Sequence, residues 1–213
     1  MHLDIPELES PYSAFKQIET IATGPKSTLN YPDMYMNHIL GSLAYGEHIV
    51  NTINANKKTV ELLDPEFMKL CTILHDIGRP VTDYNNFDVH ELYSGLLLQP
   101  NNQKIADIVQ RHFTAYEKVK IVTENNMNEE LSLPEDIKPD DYIQNNLLSE
   151  LVTFVDLSVD DSGKYIGWAK KIDTLVEKYE SLERQDPLMI DVLLNYGGLD
   201  RIKRLCEKID KLL

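Results

Sequence analysis

Cysteine is scarce in this chain. Of 213 residues only Cys71 and Cys206 are cysteines, and they form no close-spaced pair. That excludes a disulfide framework and a zinc-finger ligand set, and it fits a reducing compartment such as the cytoplasm. Basic residues are outnumbered, 21 Lys and Arg against 35 Asp and Glu, for a formal net charge of −14. A nucleic-acid polymer needs a basic footprint that this composition does not supply. No run of apolar residues approaches the roughly eighteen that a spanning helix requires, so no membrane partner is expected. Residues 1–10 carry Asp4, Glu7 and Glu9 where a secretory leader would have basic residues and then an apolar run, so no leader is expected either. Sustained apolar/polar alternation, internal repeats and low-complexity tracts are all missing.

What is present is helical periodicity. The fold class it implies is all-α, and the length suits one domain over residues 1–213. Its core would span about 30–180, with a C-terminal helical extension over 185–213. Helices are expected over residues 11–22 and 33–53. A third starts at Asp64-Pro65-Glu66, which supplies an N-cap, a first-turn proline and an acidic first turn. Phe67, Leu70, Cys71 and Leu74 come next at i, i+3, i+4, i+7, and Gly78 is a natural terminator. Further helices are expected over 88–98, 101–112, 141–159 and 165–184, from Pro187 after an Asp186 cap, and over 199–213. Acidic, Asn-rich residues 124–141 read as a surface excursion. On the last helix Ile202, Leu205, Ile209 and Leu212 form an apolar face that could serve a homodimer.

The six histidines stand at positions 2, 38, 48, 75, 90 and 112. His2 reads as a terminal residue, whereas four others fall on successive expected helices, one beside an aspartate in Leu74-His75-Asp76-Ile77-Gly78-Arg79-Pro80. Imidazole and carboxylate together suit Fe, Mn, Zn or similar divalent ions, and a carboxylate can bridge two ions through its two oxygens. A helical bundle can aim such ligands at one interior point. A His-Asp pair by itself describes equally well a core histidine beside a capping aspartate. His112 continues the inward face of Ile105, Ile108 and Val109. Asp156 closes the apolar run Leu151-Val152-Thr153-Phe154-Val155, where an unpaired carboxylate would be costly to bury.

Taken together, His75-Asp76, His90-Glu91-Leu92-Tyr93-Ser94-Gly95, His112 after an apolar helix, and Asp156 before Asp161-Ser162-Gly163 resemble the HD-domain superfamily of metal-dependent phosphohydrolases, in its stand-alone form. The resemblance spans roughly residues 30–180 and implies an HD-type bundle of about eight or nine helices. It further implies one divalent ion on His38, His75, Asp76 and Asp156, and a second on Asp76, His90 and His112, with Fe, Mn or a similar metal in each. The first histidine has two candidates, 37 and 27 residues before His75. The family's usual spacing favours His48. The context His38-Ile39-Leu40-Gly41-Ser42-Leu43, similar to the family's helix, favours His38, which we take as the ligand with His48 as the alternative. Ten residues apart, the two point about 280° apart around a helix and cannot face one site equally.

The implied activity is hydrolysis of a small phosphate ester, with a nucleotide as the leading candidate, by a metal-activated hydroxide, with Asp76 central and no protein nucleophile. Arg79 stands where the family often has Lys or Arg and could grip a phosphate. Arg111 and Lys164 are weaker candidates for the pocket rim. Some relatives carry a histidine pair where this chain has Arg111-His112. Tyr93 and Tyr116 read as core fillers near the ligands, and Trp168 as a core or interface aromatic. Two other functions stay open: a di-iron oxygenase on a small organic substrate, which oxygen consumption with ferrous iron would reveal, and a non-catalytic metal-binding sensor or interaction protein.

Overall fold

The computed structural model of the protein describes residues 10–82, 87–181 and 186–213. His2, the acidic start at residues 1–9 and the 182–184 end of the helix expected over 165–184 lie outside them. Among the described residues the fold is all-helical, with ten α-helices and no strand beyond an isolated bridge between Val159 and Tyr165. The helices are α1 Pro11–Thr23, α2 Pro32–Asn56, α3 Pro65–Leu74, α4 His90–Leu98, α5 Gln103–Val109, α6 Ala115–Glu124, α7 Leu147–Asp156, α8 Trp168–Glu180, α9 Pro187–Ile190 and α10 Gly198–Asp210.

Local chemistry sets most of the starts. Asp64 accepts hydrogen bonds from the backbone N–H groups of Glu66 and Phe67, and Asn102, Asn146 and Asp186 cap α5, α7 and α9 in the same way. Prolines occupy the first turn of α1, α2, α3 and α9, where the missing N–H has no partner to lose.

α3 is the central element, packed against α1, α2, α5 and α7. Its Met68, Cys71, Ile73 and Leu74 are fully buried, and each apolar side chain so buried contributes roughly 1.5–3 kcal/mol. The helix therefore delivers His75 and Asp76 from its C-terminal end into the middle of the bundle. Gly78 is not the left-handed terminator expected, since α3 ends at Leu74 and the chain continues through a 3₁₀ turn at Arg79–Val81. The glycine is required for close approach instead. A Cβ there would lie 2.3 Å from the His90 carbonyl oxygen and 2.8 Å from the Ser94 nitrogen, so α4 could not pack against this turn.

Two expectations are corrected. The helix expected over 101–112 stops at Val109, because the chain turns through Phe113 at a left-handed φ of 50° and restarts as α6, a helix that the periodicity does not announce. The excursion over 124–141 is anchored, with Leu131, Leu133 and, just beyond it, Tyr142 buried and the Asn128 side chain bonded to the Pro134 carbonyl. The apolar face of α10 packs on α7 and α8, with Ile202, Leu205 and Ile209 buried. No helix of the described residues is long and apolar enough to cross a membrane.

Replacing Asp64 by Ala removes the acceptor that starts α3. The expected result is a loss of about 1 kcal/mol in unfolding free energy, read as a lower urea midpoint at unchanged slope; an unchanged midpoint would show that the cap contributes nothing.

Candidate metal centre

Three helices and two turns bring His38, His75, Asp76, His90, His112 and Asp156 together. His38 projects from α2, His75 and Asp76 come directly after α3, His90 opens α4, His112 lies in the turn after α5, and Asp156 closes α7. All six are at least nine-tenths buried. His38 Nε2 lies 3.1 Å from Asp156 Oδ1, and His75 Nε2 lies 3.8 Å from the same oxygen. His90 Nε2 and His112 Nε2 stand 3.0 and 3.7 Å from Asp76 Oδ1, while Asp76 Oδ2 faces His75 Nε2 at 3.5 Å. Asp76 thus has one oxygen directed at each half of the cluster.

The second nitrogen of each ring explains which way the rings face. Nδ1 of His38, His75 and His112 is bonded to the carbonyls of Asp160, Thr72 and Val109 at 3.2, 2.7 and 2.5 Å. A carbonyl can only accept, so Nδ1 carries the proton and a neutral ring offers the Nε2 lone pair inward. His90 Nδ1 is held the same way by Asp88 Oδ1 at 2.5 Å, the carboxylate–histidine arrangement typical of metal ligands. Inside the cluster, His75 Nε2, His90 Nε2, His112 Nε2 and Asp76 Oδ1 are buried with no hydrogen-bond partner. Native structures rarely leave so many polar atoms unsatisfied at one point, and a cation would satisfy all of them. These buried His/Asp groups could hold metal ions: His38, His75 and Asp156, and likewise His75, Asp76 and His112, offer ligand atoms within 4.8 Å of one another.

Without a cation, the buried carboxylates are held ionised by their basic neighbours. Burial opposes ionisation of Asp76, but the Arg79 guanidinium and the imidazoles of His75 and His90 hold its carboxyl well below the usual range. Burial likewise opposes ionisation of Asp156, and the neighbouring His38 and His75 hold its carboxyl well below the usual range. His90 is lowered by burial and Arg79, yet Asp88, Glu91 and Asp76 raise it to about 9. His112 is lowered, chiefly by burial. Arg79 donates from Nε to Asp76 Oδ2 at 2.5 Å with its side chain about a quarter exposed, so it is a partner of the cluster and at the same time reaches its opening.

That opening is a cleft of about 730 Å³, with His38, Asp76, Asp156, Arg79 and Phe113 among its lining residues. Its walls come from Tyr31 and the first turn of α2, with Met34, and from α8, with Lys171, Leu175 and Lys178. Arg111 and Lys164 do not line it: Arg111 bonds the Asp141 carbonyl, and Lys164 sits in the exposed Asp160 turn. Tyr93 and Tyr116 pack against the core, and Trp168 bonds Asp210. His48 is exposed on α2 and stacked on Tyr45, outside the cluster.

Several contributors escape a reading of the sequence. Asp88, two residues before His90, looks there like part of a helix start. Lys118 lies fully buried on α6 against both oxygens of Glu91, at 2.8 Å each, and Glu91 lies 3.6 Å from His90 Nδ1; without α6, nothing points Lys118 inward. Lys171, Leu175 and Lys178 share the i, i+4, i+7 spacing of one helix face, a signal that the residues do carry. The Asp160 turn is pressed onto α2 where two glycines meet. A Cβ on Gly41 would fall 2.2 Å from the Gly163 carbonyl oxygen, and Gly163 holds φ at 81°. That contact brings the Asp160 carbonyl to His38.

Comparison with protein-family models, with curated proteins and with solved structures found no match to this chain.

The geometry separates the two candidate first ligands. His38→Ala should weaken Mn²⁺ binding by about tenfold or more, whereas His48→Ala should leave it unchanged; calorimetric titration of both variants measures this, and equal losses would contradict the assignment.

Proposed function

We propose that this chain is a metal-dependent phosphohydrolase of the HD type, acting on a small phosphate ester such as a nucleotide. The observation that carries the reading is the convergence of four orientated imidazoles and two carboxylates on unsatisfied buried atoms at the floor of a cleft whose walls carry cations. His38, His75, Asp76 and Asp156 would hold one divalent ion, and Asp76, His90 and His112 the second. When bound, such ions lower the pKa of a water to give a nucleophile at neutral pH and offset charge on phosphoryl oxygens.

The chain's own residues supply the rest. Arg79, between the cluster and the cleft, is placed to take a phosphoryl oxygen with its planar fork while it fixes Asp76. Lys171 and Lys178 add positive charge on the facing wall. Asp161 lines the same wall within 4 Å of both lysines, so in a chain of net charge −14 the bound ions would supply the positive field that lets an anion approach. Tyr31, Met34 and Leu175 give the organic part of the ester an apolar surface.

The test is phosphate release from a panel of nucleoside monophosphates and simple phosphate esters, with Mn²⁺ or Fe²⁺ and after chelation. Release should require the metal and fall by about a hundredfold or more, on the order expected for loss of a central electrostatic group, in Asp76→Ala. Arg79→Gln should raise KM more than it lowers kcat, since the arginine binds the phosphoryl group in both ground and transition states. Release that survives chelation would contradict the reading. Oxygen uptake with ferrous iron and no phosphate release would replace hydrolysis by oxygenation.

A further inference from the structure

The backbone beside one ligand is held in an unfavourable shape by a residue far along the chain. Phe113, directly after His112, has φ of 50°, in the left-handed region that a bulky side chain seldom enters. Both of its backbone polar groups are fastened. Its N–H donates to Thr153 Oγ1 at 2.8 Å, and its carbonyl accepts from Arg201 Nη2 at 2.5 Å. Arg201 belongs to α10, 88 residues away. Its guanidinium also grips Glu117, with Nε 2.6 Å from Oε1 and Nη2 2.9 Å from Oε2, and Nη1 bonds Gln144 Oε1. Gln144 in turn donates to Thr153 Oγ1, which closes a ring of contacts around Phe113. Glu117 is 2% exposed and the Arg201 side chain about a quarter exposed, so the fork is screened little by solvent.

We propose that Arg201 is a positioning residue for His112 and hence for the second ion, and that it acts by holding Phe113 left-handed. The turn from α5 to α6 reverses direction through Phe113. Released from Arg201, Phe113 would relax to a negative φ and carry the His112 turn away from Asp76 Oδ1. The C-terminal helical segment is then part of the metal site, and not an appendage to it. Glycine enters the left-handed region without steric cost, so Phe113→Gly should make Arg201 largely dispensable for this purpose. The inference rests on the two-ion reading above.

The test is calorimetric titration with Mn²⁺ alone, with His38→Ala and His112→Ala marking which transition belongs to which ion. Arg201→Gln should weaken the second ion by about 10–100-fold, the range for a lost supporting contact, and leave the first within about twofold. In the Phe113→Gly background the same substitution should cost less than about threefold. Arg201→Lys is measured alongside, because it keeps a cation against Glu117 and the fold while a single ammonium cannot span Glu117, Gln144 and the Phe113 carbonyl; it should lose the second ion as Arg201→Gln does. Equal weakening of both ions, full second-ion affinity in Arg201→Lys, or an undiminished loss in the Phe113→Gly background would overturn the proposal while the two-ion reading stands. Fewer than two ions on the unaltered protein would overturn both.

Discussion

A carboxylate buried as deeply as Asp76, 1% exposed, is tolerable only while positive charge or acidic hydrogens face both of its oxygens, since stripping water from an ion costs several kcal/mol even after relaxation. The Arg79 guanidinium meets that condition at one oxygen, and at the other, which faces imidazole lone pairs, a cation would meet it. α3 carries Asp76 into the bundle behind a buried apolar face, the Arg79 guanidinium returns to one oxygen from a single turn further on, and imidazoles from α4 and the α5–α6 turn face the other. Asp156 repeats the arrangement with His38 and His75. Around these, Thr72, Val109 and Asp160 carbonyls and the Asp88 carboxylate fix the ring tautomers. The centre is a set of anions and lone pairs held apart by the fold, an arrangement whose simplest completion is a cation.

The same constraint explains why certain residues cannot be larger. Gly78 lets α4 close on the His75-Asp76 turn, and the Gly41–Gly163 contact lets the Asp160 turn close on α2. Both are places where backbone must touch backbone for a ligand to be aimed. Gly78 was read as a helix terminator and Gly41 gave no signal, yet neither adopts a left-handed backbone and both serve close approach.

Much was legible in the residues themselves. The all-α class came from periodicity, and Asp64 and Asp186 were readable as caps because side chain and first-turn proline stand together. His75-Asp76, His90, His112 and Asp156 stood out because each polar group closes or opens an apolar helical face. The choice of His38 over His48 rested on the context His38-Ile39-Leu40-Gly41-Ser42-Leu43, similar to the family's helix, against a spacing that favoured His48. The rest depended on contacts between segments distant in the chain. α6 was hidden because its start relies on a left-handed Phe113, which no local propensity favours, and Lys118 and Glu117 were hidden with it. Arg111 and Lys164 looked like rim cations from their distance to ligands in sequence, but the Asp141 carbonyl and the Asp160 turn hold them elsewhere, while Lys171 and Lys178 come from one face of α8, a spacing the residues carried unread.

The most direct test of the central claim is elemental metal analysis of protein purified without chelator or nickel affinity resin, for the unaltered chain and for His112→Ala. Two ions per chain, falling to one in the variant, is the result expected if the six residues form a binuclear centre bridged by Asp76. No more than one ion in the unaltered chain, or a content that His112→Ala does not change, would contradict it.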